Sequence, residues 1–236
     1  MNVFLAGAGG VIGRSLMPLL IKAGHNVIGT TRSSGKADAV AALGATPAVV
    51  DVFDAQALKA AVTAARPDVV IHQLTDLAFA PGTPQYAEGL RRNARLRVEG
   101  TRNLAAAAQA AGVRRLIAQS IAFIYKPAPG LRIESDPLND DPAMAPTVEA
   151  VRVLEDTVLA MPEGVVLRYG LLYGPGTWSP DKPLKPPALH VDAAAQSCLL
   201  ALTKGKPGIY NLAEDDGYCS SEKAKSDLGF DARFRA

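Results

Sequence analysis

Short apolar runs recur along this chain, and apolar residues at helical spacing fall between them. Val3-Phe4-Leu5-Ala6, Val27-Ile28-Gly29-Thr30, Pro47-Ala48-Val49-Val50, Val69-Val70-Ile71-His72, Leu116-Ile117-Ala118 and Val165-Val166-Leu167-Arg168 read as strands, because continuous apolar runs of this length suit strands covered on both faces. Gly208-Ile209-Tyr210-Asn211 reads as one more short strand. Helices are predicted over 14–23, 56–65, 93–111, 147–160, 191–202 and 221–228. In the second of these Leu58, Ala61 and Val62 share a face, and Gly112 closes the long third one. Strands alternating with helices predict an α/β fold, a doubly wound parallel sheet with helices on both faces. Pro175, Pro180, Pro183, Pro186 and Pro187 exclude regular structure from one stretch, which reads as a loop or a lid. With no internal repeat and no low-complexity linker, residues 1–236 form a single domain.

Composition narrows the function classes. The chain has 236 residues, 48% hydrophobic and 20% charged, enough for one α/β core and too few for a second full domain. Net charge is +2 and the basic residues are scattered, apart from pairs such as Arg91-Arg92 and Arg114-Arg115, so nucleic acid is not an expected partner. No apolar run approaches the roughly 18 residues that span a bilayer, and the N-terminus opens directly into a strand. No membrane partner and a cytoplasmic location are the expectation. Cys198 and Cys219 have neither metal-ligand spacing nor a disulfide framework, so they read as ordinary thiols and no metal is expected.

The most informative segment is Gly7-Ala8-Gly9-Gly10-Val11-Ile12-Gly13, set between the first strand and the first helix. Gly7 permits a tight turn, Gly10 lets backbone amides approach phosphate oxygens, and Gly13 lets the helix lie close to the sheet. The N-terminus of the helix that follows Val11 and Ile12 adds unpaired donors and a partial positive charge. A dinucleotide diphosphate is the predicted ligand. Coenzyme choice follows from charge at the end of the second strand, roughly twenty residues on, where a carboxylate would bond a ribose 2′-hydroxyl. The chain has Thr30-Thr31-Arg32-Ser33 there, with Lys36 close behind. Arg32 offers a fork of donors to a 2′-phosphate, helped by Ser33 and Lys36, so NADP(H) is favoured over NAD(H). The bland alternative is that Arg32 is a solvated surface residue.

Further segments make the chain resemble the extended short-chain dehydrogenase/reductase family, the sugar-nucleotide epimerases and dehydratases. They are Asp51-Val52-Phe53-Asp54, Gly100-Thr101-Arg102-Asn103-Leu104, Ala111-Gly112-Val113-Arg114-Arg115, Leu172-Tyr173-Gly174-Pro175-Gly176 and His190-Val191-Asp192, in the family's order. The resemblance implies a Rossmann-type sheet with a C-terminal substrate region, here reduced to 175–190 and 213–236. It implies Asp51 and Val52 beside the adenine, Gln73, Leu74 and Thr75 along the dinucleotide, and Tyr169 near the nicotinamide. Family members dimerise through the helices matching 93–111 and 147–160, which implies a homodimer unless those faces only cover the sheet.

The family's chemistry uses a tyrosine, a lysine four residues later on the same helix face, and a serine or threonine holding the substrate oxygen. None of the six tyrosines here is followed four positions later by lysine. The resemblance places Thr147 and Val151 at those positions and Ile121 at the hydroxyl position. Tyr125, with adjacent Lys126, is the nearest replacement proton donor, against a packing role for its ring. Ser120 is the candidate for binding a substrate oxygen. Thr75 and Asp76 lie where ligands of open α/β sheets sit, although a surface carboxylate is the plainer reading of Asp76. His72 reads as a satisfied core histidine, and His190 as capping or packing a helix. Two functions follow. One is an NADP(H)-binding oxidoreductase or epimerase-like enzyme with a non-standard proton relay, acting on a small carbonyl or alcohol rather than a sugar nucleotide. The other is a catalytically inactive NADP(H)-binding sensor or regulatory protein.

Overall fold

The computed structural model describes residues 1–77 and 79–236. Nine strands lie among them: β1 (Asn2–Ala6), β2 (Asn26–Thr31), β3 (Thr46–Val49), β4 (Val69–His72), β5 (Arg115–Ile121), β6 (Glu163–Tyr169), β7 (Leu171–Tyr173), β8 (Ala188–His190) and β9 (Gly208–Leu212). Seven of them form a parallel sheet in the order β3-β2-β1-β4-β5-β6-β9. The chain moves outward from β1 to β3, then returns to the other side of β1 with β4. The crevice between the carboxyl ends of β1 and β4 is the place where such sheets bind ligands.

Alternate residues of each strand feed opposite cores, as the two-residue period requires. Val3 and Leu5 face a core shared with Leu16, Met17, Leu20, Cys198 and Leu228. Phe4 and Ala6 face the other, with Leu58, Leu104, Ala108, Leu154 and Val158. Each fully buried Leu or Phe contributes about 1.5–3 kcal/mol. The first core is covered by α1 (Val11–Lys22), α2 (Ala37–Ala42), α7 (Val191–Leu200) and α8 (Glu222–Leu228). The second lies under α3 (Ala55–Ala65), α5 (Thr101–Ala110) and α6 (Ala145–Leu159). Arg102, Glu149, Arg152 and Asp156 point outward from α5 and α6 and are exposed.

The long helix predicted over 93–111 is three pieces. α4 (Tyr86–Arg95) leads into a π-helical turn, Leu96–Gly100, and α5 follows. Gly100 belongs there because a Cβ would stand 3.2 Å from the Val52 side chain. The helix closes at Gly112, φ +75°, where the Val113 amide donates to the Ala108 carbonyl at 3.0 Å. α2 and the small parallel pair β7–β8 were not predicted. Leu228, Phe230 and Ala232 pack into the first core, so much of 213–236 completes the domain rather than standing beside it.

Candidate functional site

The glycine turn is held by its own backbone. The Gly10 amide donates to the Gly7 carbonyl at 3.0 Å, and the Gly7 amide donates to Thr30 Oγ1 at 3.2 Å. Gly7 has φ +97°, and a Cβ there would lie 2.6 Å from the Gln73 carbonyl carbon. A Cβ on Gly13 would collide with the carbonyls of Gly7 and Ala8. The turn therefore packs flat against the start of the β4–α4 connection. α1 begins at Val11 with no side-chain cap and no acidic residue in its first turn, which leaves its leading amides and dipole turned towards a ligand. Arg14 Nη1 donates to the Gly9 carbonyl at 3.1 Å and adds a positive charge beside the turn. These residues fit a diphosphate: bare amides, a cation, and no carboxylate on the helix end.

Beyond the turn, Thr30 and Thr31 are buried, whereas Arg32, Ser33 and Lys36 are exposed on the turn after β2. Thr31 Oγ1 accepts from the Ser33 amide at 3.3 Å and shapes that turn. Asp51 is exposed and accepts from the Phe53 amide at 3.0 Å. Val52 is buried, with its carbonyl bonded by Asn103 Nδ2 at 2.9 Å.

A cleft of about 200 Å³ opens from the diphosphate turn along the carboxyl ends of β4, β5 and β6. Val11 and Ile12 belong to both turn and cleft. Gln73, Thr75, Ser120 and Tyr169 also line it, and Leu74, half-buried, donates its amide to His72 Nδ1 at 3.2 Å. The proline-rich stretch supplies Thr177, Trp178 and Leu184; no residue of 213–236 lines the cleft. Trp178 meets Tyr86 edge to face, ring centroids 6.4 Å apart.

In and around the cleft the candidate acids and bases are quiet; of them only Tyr169 lines it. Gln73 Nε2 donates to Tyr169 Oη at 3.2 Å and contacts Cys198 Sγ at 3.5 Å. Burial pushes the Tyr169 phenol well above its usual range and the Cys198 thiol up to about 12. His72 is wholly buried, its Nε2 2.9 Å from Thr101 Oγ1. Since its Nδ1 accepts, Nε2 carries the proton. Burial, then the charge of Arg97, lowers its pKa to about 4, so it is neutral. Asp76 is paired with Arg92 at 3.1 Å, and His190 caps α7 by accepting from the Asp192 amide at 3.2 Å.

Two sequence expectations change. Tyr125, read as a proton donor, does not line the cleft: it is 2% exposed, and its hydroxyl donates to Asn211 Oδ1 at 2.6 Å and accepts from Arg168 Nη1 at 2.7 Å. Lys126 points to the surface and pairs with Asp140, so it does not activate the phenol. Ser120, read as a substrate ligand, does reach the cleft, yet its hydroxyl donates to Glu155 Oε1 at 2.7 Å. Glu155 in turn holds Arg168 through Nε at 2.8 Å and Nη2 at 2.6 Å. Both candidates thus support a buried polar cluster behind the cleft. The residue the sequence reading missed is Arg97, carried into the cleft by the π-helical turn.

Fold and turn together define a Rossmann-type dinucleotide-binding protein. The chain belongs to the NAD(P)H-binding family, whose model matches residues 7–162. It is 47% identical over 182 residues to a 3-diazoavenalumate denitrifying reductase from Streptomyces sp, a match covering 75% of this chain and 58% of that protein. It is 29% identical over 184 residues to a 2-alkyl-3-oxoalkanoate reductase from Stenotrophomonas maltophilia, covering 75% and 52%. The chain thus spans little more than half the length of these relatives. Among solved structures it resembles the UDP-glucose 4-epimerase of Thermotoga maritima with UDP-glucose, TM-score 0.79 at 17% identity, covering 100% of this chain and 94% of that one. The UDP-glucose-4-epimerase of Stenotrophomonas maltophila, bound to NAD and a formylated UDP-arabinopyranose, gives 0.80 at 18%, again covering 100% and 94%. At such identities the likeness is one of fold. Among the described residues no helix is long and apolar enough to cross a membrane, and no cluster of His, Cys, Asp and Glu could hold a metal ion.

Proposed function

We propose that the protein is an NADP(H)-dependent reductase of a small, largely apolar electrophile that accepts a hydride without drawing a proton from the protein. The observation that carries this reading is the shared wall: Val11 and Ile12 belong both to the diphosphate turn and to the cleft. A dinucleotide laid along the turn would therefore end in the cleft. When bound, the reduced nicotinamide supplies a hydride. The chain's part is to hold the substrate beside it and keep water out, which alone is a large share of such catalysis. Arg32, Ser33 and Lys36 favour the 2′-phosphorylated coenzyme, since the turn after β2 has no carboxylate to repel it.

The missing proton donor selects the substrate class. Among the described lining residues, the phenol of Tyr169 is locked in place and no carboxylate, lysine or histidine is present. Carbonyl reduction calls for a proton at oxygen, which only the hydroxyls of Thr75 and Thr177 or water could relay. An aryl diazonium carbon that takes a hydride while dinitrogen leaves with the C–N bonding pair ends as a neutral C–H arene and needs none. The 47%-identical relative, a denitrifying reductase of a diazo compound, supports this class. The silent cleft equally favours a second reading, a coenzyme sensor without turnover.

Loss of reduced-nicotinamide absorbance should be followed with enals, small ketones and an aryl diazo compound, with NADPH and NADH side by side. Turnover of the aryl diazo compound, faster with NADPH, supports the reading, whereas turnover of the enals or ketones alone would mean that the protein supplies a proton. Tight coenzyme binding with no turnover on the whole panel supports the sensor instead.

A further inference from the structure

We infer that the cleft floor binds a carboxylate and that Arg97 is the residue that holds it, which makes the substrate of the proposed reductase a small apolar acid. Arg97 is 7% exposed and lines the cleft. Among the described residues it makes no ion pair and no side-chain hydrogen bond, unlike Arg168, which is equally buried and fully engaged. A guanidinium taken out of water without a partner is costly, and such groups are normally paired.

Its neighbours do not balance it. The nearest buried carboxylate, Glu155, spends both oxygens on Arg168 and one also on Ser120. His72 beside it is neutral and already bonded through both ring nitrogens. Arg97 thus has no carboxylate of its own among the described residues. The charge is not sealed in: the buried side-chain atoms that are closed off without a partner are Gln73 Oε1, Arg132 Nε, Gln196 Oε1 and Asn211 Nδ2, and no nitrogen of Arg97 is among them. Those nitrogens therefore open to the cleft, where Arg97 is the one charged side chain among the described lining residues.

Shape and polarity choose the anion. A guanidinium fork matches the two oxygens of a carboxylate. A phosphate would bring more charge and more oxygens into a lining where Leu77, Phe123, Leu172, Trp178 and Leu184 leave few partners for them. Those apolar walls suit the body of an aryl or alkenyl acid, and about 200 Å³ admits only a small one.

The test compares trans-cinnamate with cinnamamide, which has the same shape and no charge, by calorimetry on wild type, Arg97→Met and Arg97→Lys, each free and saturated with NADP+. Wild type should prefer the carboxylate by roughly tenfold or more. Arg97→Met should lose that preference and Arg97→Lys keep part of it, with NADP+ affinity unchanged in both. Arg97→Met should melt no lower than wild type without ligand, because it removes an uncompensated charge. Equal binding of acid and amide, no binding of either, or a preference surviving in Arg97→Met overturns the proposal. So does a parallel loss of NADP+ affinity, which would assign Arg97 to the coenzyme, or tighter Arg97-dependent binding of inorganic phosphate. If Arg97→Met does not fold, the wild-type and Arg97→Lys comparisons decide. Failure of NADP+ to bind would strike the reductase reading alone, since the free protein still reports the acid-amide difference.

Discussion

The hydroxyl of Tyr125 stands 2.7 Å from Nη1 of Arg168, and this contact turns a residue that resembles a catalytic one into a strut. Burial pushes the phenol up to about 12 despite the neighbouring guanidinium. Burial alone would lower the pKa of Arg168, but the hydrogen bonds and charge of Glu155 more than offset it and the net shift is upward. Tyr125→Phe should therefore leave turnover and coenzyme affinity intact while destabilising the fold by about 1–3 kcal/mol, the cost of stranding buried partners. Urea unfolding and a steady-state assay on one preparation check both halves. Loss of turnover without loss of stability would restore Tyr125 to the reaction.

Glu155 is the carboxylate that Arg168 grips with two nitrogens, at 2.6 Å from Arg168 Nη2 with both side chains nearly closed to solvent. Glu155→Gln should cost roughly 3–5 kcal/mol, as breaking one side of a buried pair does. The loss should exceed that of Tyr125→Phe. A smaller effect would mean that Arg168 finds another partner.

Arg32 tests coenzyme choice. Arg32→Ala should weaken NADPH by roughly ten- to a hundredfold, the worth of one or two charged hydrogen bonds, and leave NADH nearly unchanged. Equal loss for both coenzymes would mean that Arg32 does not read the 2′ position.

His72 gives the fold an acid limb. Its folded pKa is lowered from 6.5 to about 4 by burial and then by Arg97, so between these values the unfolded chain binds a proton that the native one refuses. The contribution is fully present above pH 6.5, falls away as pH drops towards 4, and amounts to roughly 3 kcal/mol. Urea midpoints across that window should decline in wild type and less steeply in His72→Gln. Parallel slopes would place the proton elsewhere.

The sequence carries the strands and the turn plainly, because each rests on a local rule. Buried strands are apolar runs, and Gly7 and Gly13 occupy places where a Cβ would strike backbone. The positions of Arg32, Asp51 and Val52 just past β2 and β3 are legible for the same reason. Arg97 is not legible. In a plain α-helix Asn93-Ala94-Arg95-Leu96-Arg97 reads as a solvated stretch, and only the extra residue of the π-helical turn rotates Leu96 and Arg97 inward while Arg95 and Glu99 pair outside. Tyr125 misleads because its environment comes from β6 and β9, far along the chain. α4 escapes notice because Glu88, Arg91, Arg92 and Arg95 dilute any apolar period, and β7–β8 because each has only three residues.

The central claim is that the 7–13 turn grips the diphosphate of NADP(H) and leads it into the cleft beneath Trp178, the chain's single tryptophan. Calorimetric titration with NADPH, read in parallel by Trp178 fluorescence, tests it most directly. The account requires one binding event per chain, tighter than that of NADH, with a change in Trp178 emission. Folded protein that gives no heat and no change in emission with either coenzyme would contradict it.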